Sequence, residues 1–281
     1  MKYLIAGGHG MLGNDLRNAL AGRDVIAPGR DELDITDARS IAVAVADVDV
    51  VINAAAYTRV DAAEADEAAA LAVNGTAAGL LARGAADAGA GFVQVSTDYV
   101  FSGSATSPYS ESSPLEPLGA YGRTKAEGER LVQQEHPSPY VVRTAWLYGA
   151  HGPNFAKTML RLASDHESVS VVDDQLGQPT WTADLARAIV RLLDAEAPPG
   201  IYHGTNAGET SWFGFARAIF EVAGLDPERV LPTDSTSFVR PAPRPAYSVL
   251  GHQGWGRAGL PPLRDWRVAL EAAAASGVLS R

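Results

Sequence analysis

Cysteine is absent from the 281 residues, and with it go disulfides, thiolate nucleophiles and zinc–thiolate sites. Positive charge is scarce too. The 23 Lys and Arg stand against 33 Asp and Glu, a formal charge of −10, so no nucleic-acid partner is expected. No apolar run approaches the ~18 residues of a membrane span. The chain opens on a strand pattern rather than a signal peptide, so a soluble cytoplasmic protein with no membrane partner is expected. The length suffices for a full core in one large domain or two smaller ones.

Glycine, by contrast, is plentiful. With 28 of them, a G-x-x-G-x-x-G match somewhere is easy, and position is what makes one informative. Gly7, Gly10 and Gly13 directly follow the apolar run Lys2–Ala6 and lead through Met11 and Leu12 into a helical pattern at Leu16 and Leu20. Strand, glycine turn, helix is the context of a dinucleotide site, where backbone amides and a helix N-terminus meet the pyrophosphate.

Val25-Ile26-Ala27 reads as the second strand, with Arg30 and Asp31 just after it. An acid there bonds a ribose 2′-hydroxyl, whereas an arginine suits a 2′-phosphate, so Arg30 favours NADPH with NADH as the alternative. Leu33-Asp34-Ile35 reads as a third short strand with Thr36 capping the next helix, which places Asp34 and Ile35 near the adenine. Val48–Ile52 continues the pattern into Asn53, and the small residues Ala54, Ala55 and Ala56 before Tyr57 suit a close backbone approach by a cofactor. Between 59 and 88 lie two helical patterns, whose acids Glu64 and Asp66 read as a solvated face.

Phe92–Val95 delivers Ser96, Thr97, Asp98 and Tyr99 to the carboxyl end of a buried strand, where α/β folds place chemistry. The Gly- and Pro-spotted stretch 102–119 is long enough for a functional flap. It leads to Tyr121 and Lys125, four apart and so on one helix face. A phenol with a reference pKa of roughly 10 is a poor acid at neutral pH. A nearby ammonium favours the phenolate, and the pair could then protonate a carbonyl oxygen during reduction. After the strand Tyr140–Arg143, Trp146 could wall a site or pack in the core with equal ease.

Alternating strands and helices to this point give an α/β fold, a doubly wound parallel sheet (Rossmann) with a smaller interleaved C-terminal substrate domain. Residues 1–149 plus about 169–204 are read as the dinucleotide-binding domain, and about 150–168 and 205–281 as the substrate-binding domain. Gly200–His203 is read as a strand rejoining the sheet, and Arg240–Pro245 as a rigid basic loop.

The glycine turn, Thr97 and Tyr121–Lys125 together resemble the extended short-chain dehydrogenase/reductase superfamily. Within it, Asn53–Thr58, Ser96–Phe101, Arg143–Gly149, Asp174–Thr180 and Ala242–Pro245 resemble the dTDP-4-dehydrorhamnose reductases in order and almost end to end. The resemblance implies that Tyr121, Lys125 and Thr97 are catalytic in an NADPH-dependent reduction of a nucleotide-sugar C4 ketone. It implies that Asp98, Tyr99 and Trp146 shape the sugar pocket, with Asn154, Gln178 and Arg244 as further substrate contacts. Other readings stay open: a 4-ketoreductase of another dTDP-deoxysugar, or a non-catalytic relative of the methionine adenosyltransferase regulatory subunit. A 4,6-dehydratase is disfavoured, since Tyr99 stands where that reaction needs a second carboxylate. Some relatives dimerise through acid-held magnesium. The mixed-charge tail Pro261–Arg267 offers no acidic cluster, so no metal is expected, and monomer and homodimer both stay open.

Overall fold

The computed structural model describes residues 1–279. Five strands, β1 (Lys2–Ala6), β2 (Asp24–Ile26), β3 (Val50–Asn53), β4 (Gly91–Thr97) and β5 (Tyr140–Thr144), join Gly200–His203 in one sheet. The order across it is Gly200–His203, β5, β4, β3, β1, β2, and every pairing is parallel. Parallel strands covered by helices on both faces must be apolar throughout, and β1 and β3 read Tyr-Leu-Ile-Ala and Val-Val-Ile accordingly. One face packs Tyr3, Ile5, Ile52 and Val142 against Leu16, Leu185 and Ile189. The other packs Leu4, Val51, Phe92 and Val141 against Ile41, Leu81 and Val132. Strand order reverses at β1, so a crevice opens where β1 and β3 end, the usual ligand position in such sheets.

Two expectations fail here. Leu33–Ile35 is irregular chain entering a turn at Ile35–Thr36, not a strand. Asp34 Oδ1 accepts both the amide of Thr36 at 2.9 Å and its hydroxyl at 2.6 Å, and such local side-chain bonds compete with a ladder. The cap of the following helix is Asp37 rather than Thr36, accepting from Arg39 N at 3.1 Å and Ser40 N at 3.4 Å. The sheet therefore ends at the three-residue β2.

The domain reading also shifts. Val169–Val172, allotted to the first lobe, pairs in parallel with Val230–Thr233. Leu176–Gly177 pairs with Thr210–Ser211, so residues 169–177 belong to the second lobe. That lobe is built around Tyr148, Leu160, Trp181, Phe215, Ile219, Phe220 and Leu270. The helix Thr182–Asp194, the strand Gly200–His203 and, farther on, Trp255 and Leu263 return to the first. The stretch 102–119 is docked rather than free. Tyr109 N donates to Val249 O at 2.9 Å, Gly251 N to Tyr109 O at 2.7 Å and Tyr247 N to Gly103 O at 3.0 Å. Tyr109 also stacks on Phe101 with ring centroids 4.4 Å apart. Among the described residues, no helix is long and apolar enough to cross a membrane.

Candidate active site

The helix Ala120–Glu135 carries both Tyr121 and Lys125, and its sequence lets it lie unusually close to its neighbours. A Cβ on Gly122 would sit 2.2 Å from Tyr99 O, and one on Gly128 would sit 2.1 Å from Asn74 O. Its N-cap residue, Gly119, supplies no side-chain cap. The cap comes from Glu64, whose Oε1 accepts Ala120 N at 2.7 Å, while Glu67 holds Arg123 by two bonds of 2.9 and 2.7 Å. The acid Glu64 is thus no solvated face: it satisfies a free helix donor and its charge favours the positive helix end.

Tyr121, Lys125 and Thr97 converge at the end of β4. Lys125 is buried, and its Nζ donates to Val95 O at 2.7 Å. Burial in surroundings poor in counter-charge pulls its pKa down to about 8, opposed by Glu129. Tyr121 departs from the simple expectation of an acidified phenol. Burial of its hydroxyl raises it to about 12, while the Thr97 hydroxyl within reach pulls it down and the charge of Asp98 pushes it up. The ammonium one turn away spends one of its three donors on Val95 O, and at rest it is burial that sets the phenol. Thr97 Oγ1 donates to Asp98 Oδ1 at 3.0 Å and accepts Tyr99 N at 3.2 Å.

Asp98 is itself buried, which raises its pKa to about 6, with the hydroxyls of Ser248 and Thr97 opposing the rise. Its Oδ2 and the Ser248 Oγ both lack a hydrogen-bond partner, although the two groups lie near enough to interact. A buried polar atom left so costs about 1–3 kcal/mol. Tyr99 packs edge-on against Tyr121, centroids 5.6 Å apart.

The glycine turn is shaped to admit a backbone-bound anion. Gly7 has φ +79°, and a Cβ there would lie 2.7 Å from Ala55 N. A Cβ on Gly13 would strike Gly7 O at 2.2 Å. Gly10 N closes the turn on Gly7 O at 2.9 Å, and the helix Met11–Ala19 starts immediately after with no side-chain cap on its amides. Leu12 is core, so what it and Met11 offer a cofactor is backbone N–H. Ala54 and Ala55 form the opposite wall, fixed by Ala54 N on Ala6 O at 3.0 Å and Ala55 N on Asn53 Oδ1 at 3.1 Å. Gly29, next to Arg30, abuts His9 of the glycine turn, and Arg30 lies near enough to Asp34 for its charge to act on it. Ile35 is half-buried beside them. Free amides at a helix start, a glycine cradle and a neighbouring arginine fit NADPH. Among the described residues no group of acids and histidines could hold a metal ion.

The other expected contacts divide. Trp146 takes a left-handed backbone, φ 47°, and stacks on Trp212 at 3.6 Å. Its indole also covers Gly177, where a Cβ would lie 2.5 Å from Cε2. Arg244 is near enough to Tyr99 for its charge to lower that phenol, though burial dominates and raises it. Asn154 and Gln178 prove to be internal braces. Asn154 caps the helix Phe155–Asp165 through Lys157 N at 3.1 Å and bonds Gly149 O at 2.9 Å. The buried Gln178 accepts Leu250 N and Thr205 Oγ1, each at 2.8 Å. In this structure both amides bond to the protein itself.

Asn74 was not singled out from the sequence. It lies in a π-helical turn, Ala72–Thr76, a device common at functional sites. It accepts Tyr57 N at 2.8 Å and donates to Tyr57 O at 3.1 Å and Thr124 Oγ1 at 3.2 Å, tying the Ala54–Tyr57 wall to the helix of Tyr121. The signal was an Asn-Gly pair inside an alanine-rich helix. Arg39 was missed as well. It lines a cavity of about 800 Å³ with Ala27, Pro28, Glu32 and Ser40 at the end of β2.

Comparison with known proteins identifies the family. The family model described as RmlD substrate binding domain matches residues 1–278. A dTDP-4-dehydrorhamnose reductase of Streptomyces griseus is 51% identical over 96% of this chain and 91% of that protein. A probable dTDP-4,6-dihydroxy-2-methyloxan-3-one 4-ketoreductase of Streptomyces antibioticus is 49% identical over 97% of this chain and 94% of its own. The crystal structure of dTDP-4-dehydrorhamnose reductase from Bacillus anthracis in complex with NADP superposes with a TM-score of 0.95 at 37% identity, covering 98% and 100% of the two chains. This chain belongs to the RmlD substrate binding domain family, within the extended short-chain dehydrogenase/reductase fold.

Proposed function

We propose that the protein reduces the C4 ketone of dTDP-4-dehydro-L-rhamnose to the alcohol of dTDP-L-rhamnose. The observation that carries this reading is the meeting of Thr97, Tyr121 and Lys125 at the carboxyl end of β4, in the sheet whose first strand leads into the glycine cradle. NADPH, when bound, supplies the hydride that reaches C4. Tyr121 Oη gives its proton to the ketone oxygen as that oxygen gains charge, and Thr97 Oγ1, turning its one proton away from Asp98 Oδ1, donates to the same oxygen and aligns it. The Lys125 ammonium stabilises the phenolate left behind, so the acid is weak at rest and strengthened where charge develops. Asp98, Tyr99 and Trp146 wall the sugar, and Arg244 offers a guanidinium to the diphosphate.

The test is single-turnover oxidation of NADPH with Tyr121→Phe. The variant should keep NADPH affinity and lose about 10²–10⁴-fold in rate, and an unimpaired rate would remove Tyr121 as the acid. The 49% identity to the Streptomyces antibioticus ketoreductase favours a second reading, reduction of a different dTDP-4-keto-sugar. NMR of the product formed from each keto-sugar separates the two.

A further inference from the structure

Beneath the pair just described lies a buried charge cluster to which that mechanism gives no task. Tyr121, Lys125 and Glu129 recur every fourth residue on one helix face. Glu129 is 0% exposed, Arg143 2%, Ser96 3% and Lys125 4%. The Glu129 carboxylate is fully gripped. Ser96 Oγ donates to Oε1 at 2.5 Å, Arg143 Nε reaches Oε1 at 3.0 Å and Oε2 at 3.2 Å, and Nη2 reaches Oε2 at 2.7 Å. Ser96 and Arg143 are register partners on β4 and β5. Helix and strand therefore meet residue by residue, Lys125 on Val95, Glu129 on Ser96 and Tyr121 beside Thr97.

We propose that Glu129, locked by Arg143 and Ser96, is a positioning residue that keeps the buried Lys125 amine charged and aimed along β4 under Tyr121. This rests on the reading of Lys125 as the ammonium behind the proton donor. A buried amine facing only a carbonyl would shed its proton readily, and Glu129 is the one charge acting to keep it. The remaining groups around the cluster supply no substitute. Arg143 Nη1 donates to Glu111 O at 3.1 Å and reaches His203 Nε2 at 3.5 Å. Its guanidinium also covers the Phe101 ring at 5.0 Å. His203 is driven to about 3 by burial and by Arg143. It is therefore neutral, with Nδ1–H donating to Gly251 O at 2.8 Å and Nε2 accepting. His252 is lowered by burial, and the Glu111 carboxylate faces Gly254 N and Arg257. Asp98 acts on Tyr121 rather than on Lys125.

The experiment uses the three lysines of the chain, Lys2, Lys125 and Lys157. Labelled at Cε and Nζ, they give three NMR signals. Lys2, raised by its Asp47 bond, titrates well above Lys125, which is expected near 8. Since Glu129→Gln alone would strand the buried Arg143 charge, the decisive variant is the double Glu129→Gln, Arg143→Gln, which removes the two partners together. The Lys125 midpoint should fall by about one unit in it and stay near wild type in Glu129→Asp. The alkaline limb of kcat/KM should move with it. An unmoved midpoint in the folded double variant overturns the proposal, and so does a lowered midpoint with an unmoved alkaline limb. The amine titration needs no turnover, so a wild type that fails to reduce the keto-sugar would refute the reductase reading while still deciding the task of Glu129.

Discussion

Asp61 and Arg244 stand 183 positions apart and form an ion pair, Nη2 to Oδ1 at 2.8 Å. The same carboxylate oxygen accepts Ala242 N at 3.3 Å, and Arg244 Nη1 returns to Ala242 O at 3.0 Å. The proline-held loop is thereby fastened to the first lobe beside Tyr99. A diphosphate arriving there has to compete with Asp61 for the same guanidinium. Arg244→Ala should raise KM for the nucleotide-sugar roughly 10- to 100-fold, the worth of one charged hydrogen bond, with KM for NADPH little changed. Asp61→Asn should lower the sugar KM at low salt. Steady-state kinetics with each substrate varied decide this, and a raised KM in Asp61→Asn would make Asp61 an anchor rather than a competitor.

What the sequence made legible was local. The glycine turn, the strand-end threonine and the Tyr–Lys pair are each encoded within a few residues, because strand and helix periods alone dictate where those side chains point. What it hid was carried by contacts between distant segments. Glu64 caps a helix that begins 56 residues later, and nothing around Glu64 distinguishes it from a solvated acid. Lys125 finds Val95, 30 positions back, so its neighbours on the helix overstated its hold on Tyr121. Gln178, read as a sugar contact, is bonded to Leu250, 72 positions on, a partner that nothing in its neighbourhood announces. Leu33–Ile35 failed for the opposite reason: Asp34 and Asp37 satisfy backbone donors locally, and no period-2 pattern competes with that over three residues.

Cofactor preference is predicted to turn on two arginines instead of one. Arg30 follows β2 beside the glycine turn, where its charge also lowers Asp34. Arg39 sits in the first turn of the helix Ala38–Val45, the end at which a cation is disfavoured by the helix dipole, and it lines the cavity beside Pro28 and Ser40. A cation kept at that end gains when an anion such as a ribose 2′-phosphate comes to it. Arg30→Ala and Arg39→Ala should each weaken NADPH several-fold relative to NADH, and the double variant should lose the preference, about 1.5–3 kcal/mol per charged hydrogen bond being at stake. The ratio of kcat/KM for the two cofactors is the measurement. A ratio unchanged in the double variant would place the 2′-phosphate elsewhere.

The indole of Trp146 is sandwiched between Gly177 on one side and Trp212, at 3.6 Å and 9° from parallel, on the other. Its left-handed φ of 47° is strained for a non-glycine residue by about 1–3 kcal/mol, so the stack has to hold it in place. A methyl added at Gly177 would lie 2.5 Å from Cε2, 2.6 Å from Cζ2 and 2.9 Å from Nε1, too close for all three. Trp212 cannot yield, since Phe155 packs behind it with centroids 4.5 Å apart. Gly177→Ala should therefore push Trp146 out of the stack toward the sugar side. KM for the nucleotide-sugar should rise at least tenfold, NADPH affinity should hold, and the near-ultraviolet circular dichroism of the coupled indoles should weaken. A variant with intact indole coupling and an unchanged sugar KM would show that Trp146 does not wall the pocket, and the specificity of this enzyme would then rest on Asp98 and Tyr99 alone.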